Sequence, residues 1–125
     1  MKKLLGLALA FMLTVSAYSD EITSTKDGGI WADPASWVGG KVPSKGDDVI
    51  ITSKVIADRI FEIKTVTINE NADLVLDTKQ DEGKCLVQRL TNYGTLKVSK
   101  HSTLYVPDIN NTNIIENEGV IETGK

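Results

Sequence analysis

From Asp47 onward the chain alternates apolar and polar residues in short runs. Val49 and Ile51 share one parity, Ile63 is followed by Val66 and Ile68, and Ala72, Leu74 and Leu76 keep strict period two. Leu96 with Val98, and Leu104 with Val106, repeat the pattern, with Lys, Thr, Asp and Ser between them. Period two places alternate side chains on one face of a strand, so these runs predict short strands with one buried face. The expected inward set is Val49, Ile51, Val66, Ile68, Leu74, Leu76, Leu90, Leu96, Leu104, Val106, Ile115 and Ile121. Asn, Asp and Gly break the runs, and no stretch has helical periodicity. Residues 20–28 are polar and read as a flexible entry or a first short strand.

An internal repeat organises the runs. Leu90-Thr91-Asn92-Tyr93-Gly94-Thr95-Leu96 matches Ile115-Glu116-Asn117-Glu118-Gly119-Val120-Ile121, an apolar-x-Asn-x-Gly-x-apolar pattern offset by 25 residues. A degenerate third copy is Ile68-Asn69-Glu70-Asn71-Ala72-Asp73-Leu74, offset by 22. A period of roughly 20–25 residues suits one turn of a β-solenoid. Asn and Gly at the corner are expected to supply a left-handed backbone, and the Asn side chains to stack as a ladder that Glu70 interrupts. The fold expected is all-β, a short parallel β-helix of about three rungs. The alternative is an antiparallel β-sandwich or roll in which Asn-x-Gly marks hairpin turns.

Between Gly29 and Ile51 the pattern differs. The run is Gly29-Ile30-Trp31-Ala32-Asp33-Pro34-Ala35-Ser36-Trp37-Val38-Gly39-Gly40-Lys41-Val42-Pro43-Ser44-Lys45-Gly46-Asp47-Asp48-Val49-Ile50-Ile51. Asp33-Pro34 predicts a helix start, and Gly39-Gly40 stops it after a turn or so. That turn brings Trp31 and Trp37 together as a lid over the first rung. The segment resembles the opening of bacterial surface and secreted β-helix proteins, Trp-x-Asp-Pro-x-x-Trp, then Gly-Gly, Val-Pro and Gly-Asp-Asp-Val-x-Ile. The same opening occurs in the extracellular domain named for its eight glycines, the G-eight domain. The resemblance covers roughly a fifth of the chain, and it implies a right-handed parallel β-helix with an N-terminal cap, outside the cell. Asn71-Ala72 stands where such proteins carry a corner Gly, and Asp81-Glu82-Gly83-Lys84 reads as an extra loop. The resemblance implies no single activity.

Lys2 and Lys3, the apolar run Leu4–Val15 and Val15-Ser16-Ala17 make a signal peptide, with cleavage expected after Ala17 or Ser19. The apolar run is shorter than the roughly 20 residues of a spanning helix, so no membrane insertion is expected after cleavage. The expected organisation is a signal peptide over 1–19, an entry segment and Trp-rich cap over 20–46, and rungs over 47–125. The protein is expected to be secreted or on the cell surface, from a bacterial source. Removal of 1–19 takes Lys2 and Lys3 and no acid, which moves the formal net charge from −3 to −5. A mildly acidic chain without a basic stripe argues against nucleic acid as a partner. The single Cys85 forms no internal disulfide and reads as a small buried apolar residue.

Catalytic chemistry finds little to stand on. His101, the one His, lies between Lys100 and Ser102 and reads as solvated. Asp47-Asp48 and Asp81-Glu82 lack the dense alternating acids of a calcium loop and read as turns. Glu62, Asp73 and Asp77 face outward, but about three rungs leave little groove for a polysaccharide between paired acids. The expectation is a non-enzymatic structural or adhesive module with no cofactor and no metal. The alternative is a carbohydrate-binding module of a polysaccharide-active protein. A remnant of a β-helix lyase or hydrolase ranks third. Tyr93, Tyr105 and Trp37 are the candidate glycan or partner contacts, because aromatic rings stack on sugars. The last rung carries no cap, so a polysaccharide or another protein chain is expected there, and the reading frame is expected to belong to a longer surface protein.

Overall fold

The computed structural model describes residues 20–79 and 82–124, so the export segment 1–19 lies outside the described residues. Its strands are short, as the runs require: β1 Glu21–Thr23, β2 Gly29–Ile30, β3 Asp48–Ile51, β4 Lys54–Ala57, β5 Glu62–Ile68, β6 Asp73–Leu76, β7 Cys85–Asn92, β8 Thr95–Val98, β9 Thr103–Tyr105, β10 Asp108–Asn111, β11 Ile114–Asn117 and β12 Val120–Glu122. They form two open sheets. One runs β1-β3-β5-β7-β9-β12, with β10 also on β7, and the other runs β11-β8-β6-β4-β2. Every strand pair is parallel, which excludes the antiparallel sandwich or roll. Parallel strands cannot be joined by tight hairpins, and here each strand reaches its partner only after the chain has visited the other sheet.

Register turns the apolar alternation into ladders. In the first sheet Val49, Val66, Leu90 and Ile109 align, as do Ile51, Ile68, Asn92 and Asn111. In the second sheet Val55, Leu74, Leu96 and Ile115 align, as do Ala57, Leu76, Val98 and Asn117. All but Ile115 and Ile121 of the expected inward set are buried, and Val55, Ala57, Ile63, Cys85 and Val87 join the same core. Ile109, Ile115 and Ile121 are only partly buried, because they belong to the outermost strands.

Two strands bend. Ile63 and Val66 both face the core, as do Val87 and Leu90, so Lys64-Thr65 and Gln88-Arg89 point outward in succession. Beyond this bend β7 divides its pairing: Cys85 and Leu86 align with Leu104 and Tyr105 of β9, whereas Arg89–Asn92 align with β10. The seven-stranded sheet is therefore creased into two facets.

The Asn-x-Gly copies are corners, as expected, but they are two different corners rather than the same corner one rung apart. Asn92-x-Gly94 joins β7 to β8, but Asn117-x-Gly119 joins β11 to β12. The stacked partner of Leu96 is Ile115, 19 residues on, and that of Leu90 is Ile109, also 19 on, so the expected 25-residue offset is not the structural period. Both corners share one construction: each glycine N–H donates to the Asn Oδ1 two residues earlier, at 3.0 Å. Each corner also rides over a tight turn, Asn69–Ala72 or Ser99–Ser102, closed by a 3.0 Å backbone bond. Glycine is required at 94 and 119 for closeness rather than for left-handed backbone. A Cβ at Gly94 would strike the carbonyls of Asn69 and Ala72, and one at Gly119 those of Ser99 and Ser102. The left-handed residues belong to the underlying turns: Asn71 with φ 69° and His101 with φ 77°. Asn and His tolerate that region better than most side chains.

The entry segment belongs to both sheets, since β1 aligns with β3 and β2 with β4. A three-residue 3-10 turn, Pro34–Ser36, follows Asp33, whose Oδ1 caps Ala35 N at 2.9 Å. It ends at Trp37, which is already extended, one residue short of Val38-Gly39-Gly40. The chain then crosses the outer edge of β1: Val38 N donates to Thr23 O and Thr25 N to Ser36 O, both at 2.9 Å. Trp37 Nε1 donates to Trp31 O at 2.7 Å, and the two indoles meet edge to face at 5.1 Å. Trp31 also stacks on Phe61 at 4.1 Å, so this end of the core is sealed by aromatic rings.

Candidate binding surfaces

The three candidate aromatic contacts lie apart. Trp37 is 2% exposed and its indole N–H is already bonded, so it offers no face to a sugar. Tyr93 is 47% exposed at the corner between β7 and β8, where its carbonyl accepts Asn113 Nδ2 at 3.0 Å. Tyr105 is half-buried on β9, in the outward row Glu62, Leu86, Tyr105, Glu122, with Gly124 beside its hydroxyl.

Tyr105 borders a hollow of about 180 Å³ whose floor includes Ile63, Leu86 and Val87. Gln88 and Pro107 also line a second hollow of about 470 Å³, shared with Lys64, Thr65, Arg89 and Asp108. The two form a trough along the crease of the first sheet. Its surface is apolar around Tyr105 and charged beyond Gln88, and Arg89 Nε holds Asp108 Oδ2 at 2.8 Å. Lys64, Gln88 and Arg89 were not singled out from the sequence. The signal was present, because two apolar residues spaced by three, Ile63 to Val66 and Val87 to Leu90, break period two where a strand bends.

A third hollow, about 350 Å³, lies beside the lid between Trp31, Val42, Pro43, Arg59 and Phe61. Near it the Asp47-Asp48 pair has structural work. Asp47 is buried and takes Ser44 N at 2.9 Å, Asp20 N at 3.2 Å and Ser44 Oγ at 3.2 Å. Burial pushes its carboxyl up, but those donors and the Lys41 charge outweigh burial and hold it below its ordinary value. Asp48 Oδ1 accepts the Thr65 hydroxyl at 2.7 Å. The outward acids are dispersed, with Glu62 on β5, Asp73 at the start of β6 and Asp77 just after it. Among the described residues no three His, Cys, Asp or Glu converge as metal ligands, and Asp81 lies outside them.

At the far end of the stack β10, β11 and β12 are each paired on one side only among the described residues, and Ile114 and Val120 are 48% and 47% exposed. No protein-family model, curated protein or solved structure matches the chain.

Proposed function

We propose that the chain is a non-enzymatic, exported structural or adhesive module, built as a short right-handed parallel β-helix of the G-eight-like type. The carrying observation is the set of unbroken inward ladders, such as Val49-Val66-Leu90-Ile109, which run across each of two parallel sheets and are lidded at one end by Trp31 and Trp37. Such a stack supports itself by burying apolar rows between layers, without a disulfide. Its outward side chains are then free for contact with other surfaces.

Export and stacking are tested separately. Expression of the full chain in a bacterial host should yield a processed form outside the cytoplasm beginning at Tyr18 or Asp20; retention of unprocessed chain in the cytoplasm sinks the export reading. Spin labels at outward Thr67, Thr91 and Asn110, which stand in register, should show strong pairwise dipolar broadening, because adjacent parallel strands are about 4.8 Å apart. Absence of broadening between Thr67 and Thr91 rules out the stack.

The second reading, a carbohydrate-binding module, is favoured by Tyr105 at the mouth of the trough. An aromatic face beside amide and charged groups is a common sugar platform. A glycan array should then give a hit that Tyr105→Ala abolishes while thermal stability is retained; no hit on the array removes this reading.

A further inference from the structure

The run Asp108-Ile109-Asn110-Asn111-Thr112 has the form acid-x-Asn-x-Thr, with no proline in it. Asn-x-Ser/Thr is the acceptor pattern for transfer of a sugar to an Asn amide. An acid two residues before the Asn is the further demand that bacterial transferases make. Of the chain's seven asparagines only Asn110 has a Ser or Thr two residues on, and it is also the one with Asp108 two residues before.

The fold turns that residue outward. Asn110 aligns with Thr91, which aligns with Thr67, in an outward row of the first sheet. Its neighbours face the other way: Ile109 packs on the core, and Asn111 Oδ1 accepts Asn92 Nδ2 at 2.7 Å. Register sets this direction, whatever lies beside β10. Asn111 Nδ2 is spent on Asn113 O and Asn113 Nδ2 on Tyr93 O, both at 3.0 Å. The Asn110 side chain is exposed and makes no such bond among the described residues. The groups a transferase reads on either side of it are engaged by the fold. Asp108 Oδ2 accepts Arg89 Nε at 2.8 Å, and the Thr112 hydroxyl donates to Asn92 O at 3.1 Å. The acceptor is therefore complete only before β10 docks, and docking then carries the modified amide away from the core.

We infer that Asn110 is an N-glycosylation site, modified on the exported chain before β10 joins β7. The donor is an oligosaccharide carried on a lipid pyrophosphate. Asn110 Nδ2 forms a bond to the anomeric carbon, the bond from that carbon to the phosphate oxygen breaks, and the lipid pyrophosphate leaves with the electron pair. The amide loses one proton to a base of the transferase, and nothing is oxidised or reduced. The inference rests on the export reading, because such donors are consumed on the far side of the cytoplasmic membrane.

The test replaces residues 1–19 by a leader of proven export, so that failure of the native leader and failure of this inference read out separately. The chain is expressed in a bacterial host that supplies an oligosaccharyltransferase and its lipid-pyrophosphate-linked oligosaccharide. The mass of the exported product should rise by one glycan. Asn110→Gln should abolish the gain and leave the circular dichroism spectrum unchanged, and Asp108→Ala should sharply reduce it. The glycan-bearing and bare chains should share one urea midpoint, because the sugar leaves from the outward row. Purified, folded, bare chain reacts only through opening of β10, so in detergent with the same enzyme and donor it should be modified at least about tenfold more slowly than Leu90→Asp, a core variant checked as unfolded by circular dichroism. An exported chain without added mass, or a gain that survives Asn110→Gln or is untouched by Asp108→Ala, overturns the inference. A lowered urea midpoint of the glycan-bearing chain overturns the outward placement, and equal rates for the folded and unfolded chains overturn the order of modification and docking.

Discussion

Asn92 Nδ2 donates to Asn111 Oδ1 at 2.7 Å and to Ile114 O at 2.8 Å, while Asn92 Oδ1 accepts Gly94 N at 3.0 Å. One fully buried amide thus fastens its own corner and the corner of the next layer. Removing it leaves the buried Gly94 N–H without a partner, which is the expensive way to lose a hydrogen bond. Asn92→Ala should cost about 2–4 kcal/mol. Asn92→Asp should cost at least as much, because it sets a carboxylate against Asn111 Oδ1 and Ile114 O. Urea unfolding with an unchanged m-value is the measurement, and a loss below about 0.5 kcal/mol would show that the ladder is ornamental.

Gly94 offers a sharper contrast. A methyl there meets the Asn69 and Ala72 carbonyls, which are backbone and cannot swing aside. Gly94→Ala should cost about 2–4 kcal/mol. Gly40 has φ 71° but open space around its Cα, so Gly40→Ala should cost only about 1 kcal/mol of backbone strain. The order of the two midpoints in denaturant decides between crowding and backbone conformation as the corner's demand.

The lid is expected to behave as core. Trp37→Ala removes a side chain 2% exposed and should cost about 3–5 kcal/mol. Trp37→Phe keeps most of the packing and loses the bond to Trp31 O, for about 1–2 kcal/mol. Near-ultraviolet circular dichroism should lose the part of the indole signal that comes from the Trp31–Trp37 pair in both. A Trp37→Ala protein of unchanged stability would place the ring at the surface instead.

Acid should loosen the entry segment through Asp47. Its folded carboxyl titrates below the ordinary 3.8, so its contribution is present above that value and is lost as pH falls through the lower folded value. The urea midpoint should fall as pH drops through the ordinary carboxylate range and below it, and Asp47→Asn should flatten that dependence while lowering stability at neutral pH. A wild-type and variant with parallel pH profiles would show that Asp47 is not the group responsible.

The apolar rows Leu74-Leu76, Leu96-Val98 and Leu104-Val106 were legible because period two follows from the strand itself, whatever the strand pairs with. The lid was legible for a similar reason: Asp33-Pro34 nucleates a turn locally, and that turn carries Trp37 toward Trp31. The trough beside Tyr105 was half legible, since the spacing of three from Ile63 to Val66 marks a bend but not which residues from other strands meet there.

Register was legible only in part: the offset of 22 does align Leu74 with Leu96, but the offset of 25 aligns nothing. Asn92-x-Gly94 and Asn117-x-Gly119 look like one repeat because each solves the same local problem, a backbone N–H turned onto an Asn oxygen above a crowded turn. A corner motif is fixed by its own few residues and can be used at any corner. Which strand lies on which is fixed by long-range pairing and by the burial of whole rows. Those forces align Leu96 with Ile115 and Asn92 with Asn111, at an offset of 19. The sequence alone determined that the chain makes short one-sided strands, where they break, and that two indoles come together. Only the tertiary structure decided between the expected parallel stack and its antiparallel alternative, and that the repeated motif serves two different corners. Strand direction and layer order depend on contacts between residues far apart in the chain, and no local pattern carries them.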